Sequence, residues 1–145
     1  MAQNSEWRKT RKAFIRISRE QALLEVYVEA ESLQVDIRSG AEAEAYLDWA
    51  AQIQGIAPER MQAVCIRDVI MVRQAHVASV RILREELIHV RQLRAGIEVN
   101  REAITTGELL ARYELIRNRR QWGLTRQEIR EAVHEIRQLR RTRRY

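Results

Sequence analysis

Apolar residues recur at intervals of three and four along most of the chain, which is the spacing that places them on one face of an α-helix. Signals for helix starts and ends divide this pattern into segments. Ser18, followed three positions later by Gln21, forms a capping-box signature. The pattern therefore predicts a first helix that runs from there to about Leu33, or one that begins near Ser5 and includes the N-terminal residues.

The middle of the chain is predicted to contain one short and one long helix. Segment 35–40 has the composition of a break, and a short helix is expected over 41–54. From Glu59 to about Arg94 no residue signals a stop, so one long helix is predicted there, ending at the left-handed terminator Gly96. Its apolar residues fall on two opposite sides. We therefore expect it to be covered twice, by the core of its own domain and by either a neighbouring subunit or further helices of the same chain.

Two capping boxes predict the C-terminal helices. Thr105 begins one, over 106–121, and Thr125 begins the other, which runs to about Arg143. No internal repeat and no strand-like alternation longer than a few residues is present. The sequence therefore predicts an all-α fold.

The all-α prediction divides the chain into an N-terminal basic arm and helix, 1–34, and a bundle of about four helices, 41–145. The length of 145 residues suits one ordinary domain. Five Gly and one Pro, with 46% hydrophobic and 32% charged residues, exclude collagen-like, disordered and loop-rich all-β classes. The single cysteine, Cys65, cannot form an internal disulfide and is expected in the core. No stretch approaches the ~20 apolar residues of a membrane span, and no apolar signal segment opens the chain.

The net charge of +6 lies mainly on arginine and toward the two ends of the chain. Of the 26 cations, only Lys9 and Lys12 are lysines. Arginine binds phosphate or carboxylate with a planar, bidentate fork and loses its water more readily than lysine does. Genomic base composition produces the same bias without any function, and the sequence leaves both explanations open.

The C-terminal helix contains the main candidate for a binding surface, a stripe of arginines. Five arginines fall within about 60° of one another on its helical wheel and span about 27 Å of its axis. They are Arg126, Arg130, Arg137, Arg141 and Arg144. Because neighbouring like charges repel unless an anion neutralises them, this stripe predicts contact with a polyanion, and the phosphates of nucleic acid fit best. A solvated surface, an acidic protein and a membrane surface are the alternatives.

The N-terminal arm has the same character. Trp7 and Phe14 interrupt its cations, and these two rings suit a core or subunit contact better than base stacking. The cations are expected to contact phosphates, and they are Arg8, Lys9, Arg11, Lys12, Arg16 and Arg19. Such contacts fix the position of a protein on nucleic acid without reading its bases.

Two Glu-x-x-His spacings are the main candidates for chemistry, Glu86 with His89 and Glu131 with His134. Ferritin-like di-iron proteins use this spacing on two helices, with a further Glu from each of two others. The two pairs are expected at different heights in the bundle, so surface positions are the preferred interpretation. No glycine-rich phosphate loop, zinc-ligand cluster or nucleophile elbow occurs, and no cofactor, catalytic residue or metal ligand is predicted. The segment GLTRQEI, at 123–129, resembles the opening of a helix-turn-helix unit, but no recognition helix follows it.

Over its full length the chain resembles the major coat proteins of filamentous archaeal viruses with linear double-stranded DNA. The resemblance lies in the order of elements: an arm over 1–34, a break over 35–40 and a helix bundle over 41–144. It implies paired subunits, identical or paralogous, that wrap the duplex in an A-like form inside a helical virion. The eleven glutamines, and Arg in place of Lys, depart from the composition of a typical hyperthermophile protein.

The sequence thus predicts a non-enzymatic, sequence-independent binder of double-stranded DNA that forms a repeating assembly. A viral coat subunit located in the virion is the preferred interpretation, with a cytoplasmic protein expected if the resemblance does not hold. The arm and the arginine stripe would neutralise phosphates, while the acidic segment 21–59 would contact other subunits. Two alternatives stay open, a DNA-binding regulator or small packaging subunit and a ferritin-like di-iron protein.

Overall fold

The computed structural model of the chain describes residues 17–96 and 101–142. Over these residues it forms five α-helices and three short strands. In chain order they are α1 (Arg19–Ser32), β1 (Asp36–Arg38), α2 (Ala41–Gln54), β2 (Ala63–Ile66), β3 (Val69–Val72), α3 (Val80–Arg94), α4 (Arg101–Arg117) and α5 (Arg126–Thr142). The protein is therefore mostly helical, as the sequence predicts. Among the helices of these described ranges, none is long and apolar enough to cross a membrane.

The all-α prediction needs one correction, because the three strands form a small sheet. β3 lies at its centre, parallel to β1 and antiparallel to β2. β1 arises inside the segment 35–40 that was expected to be an irregular break. α1 ends before this segment, at Ser32, and the backbone of 36–38 pairs with β3 instead of forming a loop.

The single long helix predicted over 59–94 is wrong. A β-hairpin occupies its first half, and α3 begins only at Val80. The runs A-V-C-I and V-I-M-V, rich in β-branched residues, flank a tight turn at 67–68, where Arg67 has a left-handed φ of 52°. Such residues pack well on a pleated surface and lose side-chain freedom in a helix. The hydroxyl of Ser79 then caps α3 by accepting a backbone hydrogen bond from its first turn.

The hairpin also accounts for the two apolar sides of this segment. Successive side chains of a strand point to opposite faces of the sheet. Ile70 and Val72 face α1 and α3, and they belong to the largest core cluster. Val64 and Met71 face α2 in a second cluster. Both apolar sides are therefore covered within the chain.

The helix boundaries agree with most of the sequence signals. The hydroxyl of Ser18 caps α1 by accepting a hydrogen bond from Gln21 N at 3.1 Å, as predicted. α2 matches the predicted range 41–54. α4, however, begins at Arg101 instead of 106. It packs on α3 through a third core cluster, which consists of Ile88, Ala111, Leu115 and Trp122.

One buried carboxylate joins the beginnings of three helices. Thr125 and Glu128 form the predicted capping box: Glu128 N donates to Thr125 Oγ1, and Thr125 N donates to Glu128 Oε1, both at 3.1 Å. The same Glu128 side chain accepts hydrogen bonds from Arg81 N at 3.0 Å and from the Arg19 guanidinium at 2.7 Å. Glu128 therefore fixes the start of α5 against the starts of α3 and α1.

We expect Glu128→Gln to destabilise the protein at neutral pH and to cost less in acid. Burial raises the pKa of Glu128, but hydrogen bonds from Thr125 N, Arg81 N and Arg19 outweigh burial and hold this pKa below its usual value. A lowered folded-state pKa contributes stability above the unfolded pKa of about 4.3, and that contribution is lost as the pH falls through the folded value. Urea unfolding followed by circular dichroism should give a loss of about 2 kcal/mol at neutral pH and a smaller loss near pH 3.

Glu31→Gln is the control, because Glu31 is an exposed glutamate of α1. It should change the free energy of unfolding by less than about 0.5 kcal/mol. An equal loss for Glu128→Gln at both pH values would contradict the charge-dependent role of this carboxylate.

Candidate metal centre

One face of α3 carries three polar side chains on successive turns, Arg81, Glu85 and His89. Their four-residue spacing aligns them along the helix. Arg81 and Glu85 are buried, with 6% and 7% of their surface exposed. Because a buried charge is costly unless it is paired, this face of α3 depends on partners from the neighbouring helices.

Arg112 of α4 supplies the first of these partners. Its guanidinium lies 2.7 Å from Glu85 Oε1 and 2.9 Å from Glu135 Oε2. It also pairs with Glu108, one turn earlier on its own helix, through Oε2 of that carboxylate. One side chain therefore connects carboxylates from α3, α4 and α5.

Arg81 makes a second connection between α3 and α5. Its guanidinium lies 3.1 Å from Glu131 Oε2 and 3.4 Å from Glu135 Oε1, and 3.3 Å from Glu85 Oε2 on its own helix. Glu85 and Glu135 are thus each shared between the two arginines. The result is a continuous ionic network between three helices.

His89 is held between two of these helices. Its Nε2 lies 3.3 Å from Glu108 Oε1, and its Nδ1 lies 2.9 Å from Gln92 Oε1. Because an amide oxygen only accepts, Nδ1 carries the hydrogen in that contact. Gln92 in turn donates to Gly107 O at 3.0 Å, and a Cβ on Gly107 would stand 3.1 Å from Gln92 Oε1. These contacts fix the imidazole so that Nε2 faces Glu108.

Glu85, His89 and Glu108 together form a group that could hold a metal ion. Each offers one ligand atom, and the three atoms lie within 4.8 Å of one another. In a tetrahedral zinc site, bonds of about 2.0–2.1 Å separate neighbouring ligand atoms by about 3.4 Å. The contact between His89 and Glu108 already has this spacing. Ligating histidines usually donate their second N–H to a fixed acceptor, as His89 does to Gln92. The donor set therefore fits one divalent ion bound by one nitrogen and two oxygens.

Burial and neighbouring charges shift the pKa values of the ionisable groups in and beside this site. Burial raises the pKa of Glu86, which adjoins the cluster, to about 7. Burial favours neutral forms of His89 and Glu108, but their mutual ion pair prevails, so the pKa of His89 rises to about 9 and that of Glu108 falls to about 2, with help from Arg112. Glu86 is left without a hydrogen bond from the described residues.

The cluster lies in a cavity of about 830 Å³ between α3, α4, α5 and the start of β2. β2 is an edge strand with β3 on one side. Because Arg73 N donates to Gln62 O, the antiparallel alternation turns the N–H and C=O of Ala63 away from β3. Ala63 and Gln62 line the cavity. An edge of β backbone therefore lines the same cavity as the candidate metal centre.

The arginines predicted to bind nucleic acid do not converge on this cavity, although Arg141 contributes to its lining. Arg19 binds Glu128 and Gly123 O. Four of the predicted arginines lie on the described part of α5 and are exposed, namely Arg126, Arg130, Arg137 and Arg141. The other predicted residues, which lie outside the described residues, are Arg8, Lys9, Arg11, Lys12, Arg16 and Arg144.

Of the two Glu-x-x-His pairs, only Glu86 with His89 lies at the cluster, since His134 is exposed. Sequence reasoning missed Glu85 and Glu108. A signal for Glu85 existed, because E-E-x-x-H has the spacing of the H-E-x-x-H zinc motif with Glu in place of the first His. No sequence signal links Glu108 to them, since its approach depends on how α4 packs against α3.

We expect Arg112→Met to destabilise the protein by about 3 kcal/mol, because it leaves Glu85, Glu108 and Glu135 without their shared cation. Methionine keeps much of the apolar volume, so the loss reports on charge. The control is Arg117→Met, an exposed position on the same helix, which should change stability by less than about 0.5 kcal/mol. Urea unfolding measures both, and similar small effects would show that the network is not a stability determinant.

Comparison with known proteins identifies no relative. No protein-family model matches the chain, and neither a curated protein nor a solved structure matches it. Because fold alone does not define function, its role has to be inferred from the site itself.

Proposed function

We propose that this protein is a metal-dependent hydrolase whose metal ligands are Glu85, His89 and Glu108. The observation that carries the proposal is the convergence of their three ligand atoms within 4.8 Å at the wall of a cavity. Catalytic zinc sites use three protein ligands and keep a further position for water or substrate. One imidazole and two carboxylates suit Zn²⁺ or Mn²⁺.

The charge of the surrounding network supports this choice. Among the described residues, the cations in this network are Arg81, Arg112 and His89, whose pKa of about 9 keeps it protonated at neutral pH, and they face a larger number of carboxylates. Those carboxylates are Glu85, Glu86, Glu108, Glu131 and Glu135. A bound dication would neutralise the excess, in keeping with the cost of uncompensated charge in a buried site.

Glu86 is positioned to act as the general base. It directly follows Glu85, as the general base directly follows the first ligand in H-E-x-x-H proteins. Its carboxylate lines the cavity and has no competing hydrogen bond among the described residues. A metal ion held by Glu85, His89 and Glu108 would polarise a substrate carbonyl and lower the pKa of bound water. Glu86 accepts the proton of the attacking water and passes it to the leaving amine, while the new C–O bond replaces the C–N bond.

An extended polypeptide is the substrate class that the cavity favours. Polypeptides bind edge strands by adding a strand of their own, with backbone hydrogen bonds giving affinity. The outward N–H and C=O of Ala63 offer such an edge at the cavity wall. A peptide paired there would run past the face of α3 that carries Glu85 and His89.

The roles expected from the sequence are separate proposals. A non-enzymatic coat subunit, its location in a virion, and double-stranded DNA or further copies of the chain as partners all remain predictions. A ferritin-like di-iron site has less support, because His134 is exposed and Glu131 is paired with Arg81.

We expect the purified protein to bind about one Zn²⁺ or Mn²⁺ per chain in calorimetric titrations. His89→Ala and Glu108→Gln should each weaken binding at least tenfold, since each removes one ligand. The control, His134→Ala, should bind like the unmodified chain. No binding would show that the cluster is only an ionic network, and two irons per chain that are lost in His134→Ala would favour the di-iron alternative.

We expect the metal-loaded protein to cleave quenched fluorescent peptides of mixed sequence. Glu86→Gln should lower kcat by about 100-fold or more while leaving the metal affinity unchanged, because a general base contributes roughly that factor. Glu59→Gln changes an exposed glutamate of the same cavity and serves as the control. Equal activity for Glu86→Gln and the unmodified chain would exclude Glu86 as the base.

A further inference from the structure

The outer face of α5 is a row of exposed cations. Arg126, Arg130, Arg137 and Arg141 lie within about 60° on the helical wheel and extend over about 22 Å of the axis. None of the four forms an ion pair with any residue in the ranges that the structure describes. We call these four residues the arginine face.

The glutamates of α5 do not compensate the arginine face, because all three are engaged on the opposite side of the helix. Glu128 binds Arg19 and the start of α3. Glu131 and Glu135 bind Arg81, and Glu135 also binds Arg112. These glutamates therefore form no ion pairs with the arginine face. Such pairs would have given α5 a neutral, solvated surface.

Like charges four residues apart on a helix destabilise it by a few tenths of a kcal/mol per pair. Arg126 with Arg130, and Arg137 with Arg141, are two such pairs. An external polyanion removes this repulsion, and duplex DNA offers one phosphate every ~3.4 Å along each strand. The planar fork of arginine matches phosphate oxygens in a bidentate way.

A membrane surface fits the arginine face poorly. Helices that lie on a bilayer insert large apolar side chains beside their cations. The large apolar side chains that are exposed in the described ranges lie on other elements, such as Leu24 and Val28 on α1, Trp49 and Ile53 on α2, and Leu110 on α4. The apolar side of α5 is instead packed in the protein, with Ala132 and Ile136 buried.

We propose that the arginine face of α5 binds the phosphate backbone of double-stranded DNA without reading its bases. Arg126, Arg130 and Arg137 do not line the cavity of the candidate metal centre, and the proposal is independent of hydrolase activity. Phosphate contacts alone give similar affinity for unrelated sequences and a steep dependence on salt.

The test is fluorescence anisotropy of a labelled duplex about two helical turns long, in the presence of a metal chelator so that the metal centre plays no part. The triple variant Arg126→Gln, Arg130→Gln, Arg137→Gln removes three cations and spares Arg141, which also lines the cavity. We expect it to weaken binding at least tenfold and to reduce the slope of log K against log salt by about 2.7, or about 0.9 per lost contact.

The matched control is Arg67→Gln, Arg117→Gln, Arg120→Gln, which removes the same charge from exposed positions elsewhere. It should keep the slope and most of the affinity. We expect circular dichroism to show that both triple variants fold, because all six sites are exposed. Equal losses in the two variants, no duplex binding by the unmodified chain, or binding to phosphatidylserine vesicles but not to the duplex would each overturn the proposal.

Discussion

Two arginines, the buried Arg81 and the partly buried Arg112, hold the carboxylates of three helices together, and the geometry of the candidate site depends on them. Removing water from these charges costs free energy, and the ion pairs offset that cost only in one arrangement of α3, α4 and α5. The network therefore chiefly determines the relative positions of α3, α4 and α5. It brings Glu108 to His89 and leaves Glu86 beside the same cavity without a hydrogen bond among the described residues.

The same constraint gives α5 two electrically different sides. Its glutamates are drawn inward by Arg19, Arg81 and Arg112, so its arginines remain outside and without ion pairs among the described residues. If the glutamates and arginines of α5 shared one surface, they would form the mixed-sign pairs of an ordinary solvated helix. Their separation is produced by the partners on α1, α3 and α4. It places the candidate metal centre beside the glutamates of α5 and the candidate DNA surface along its arginines.

The apolar residues of the hairpin, β2 and β3, are compatible with both a helical and a strand period. Its apolar residues fill two sides, and both a long helix covered twice and a sheet covered on both faces satisfy that pattern. β-branched residues and the left-handed Arg67 favour the sheet. The sheet also creates something that a helix lacks, a backbone edge at Ala63 beside the cavity.

The sequence by itself determined the mostly helical class, the caps at Ser18 and Thr125, and the presence of Glu86 and His89 one helical turn apart. These are local properties, since neighbouring residues and backbone hydrogen bonds decide them. Only the tertiary structure decided that Glu85 and Glu108 join His89, that His134 does not, and that the hairpin forms a sheet with β1. Those outcomes depend on contacts between residues far apart in the chain, where burial and charge pairing between elements select the arrangement and local propensity alone does not decide it.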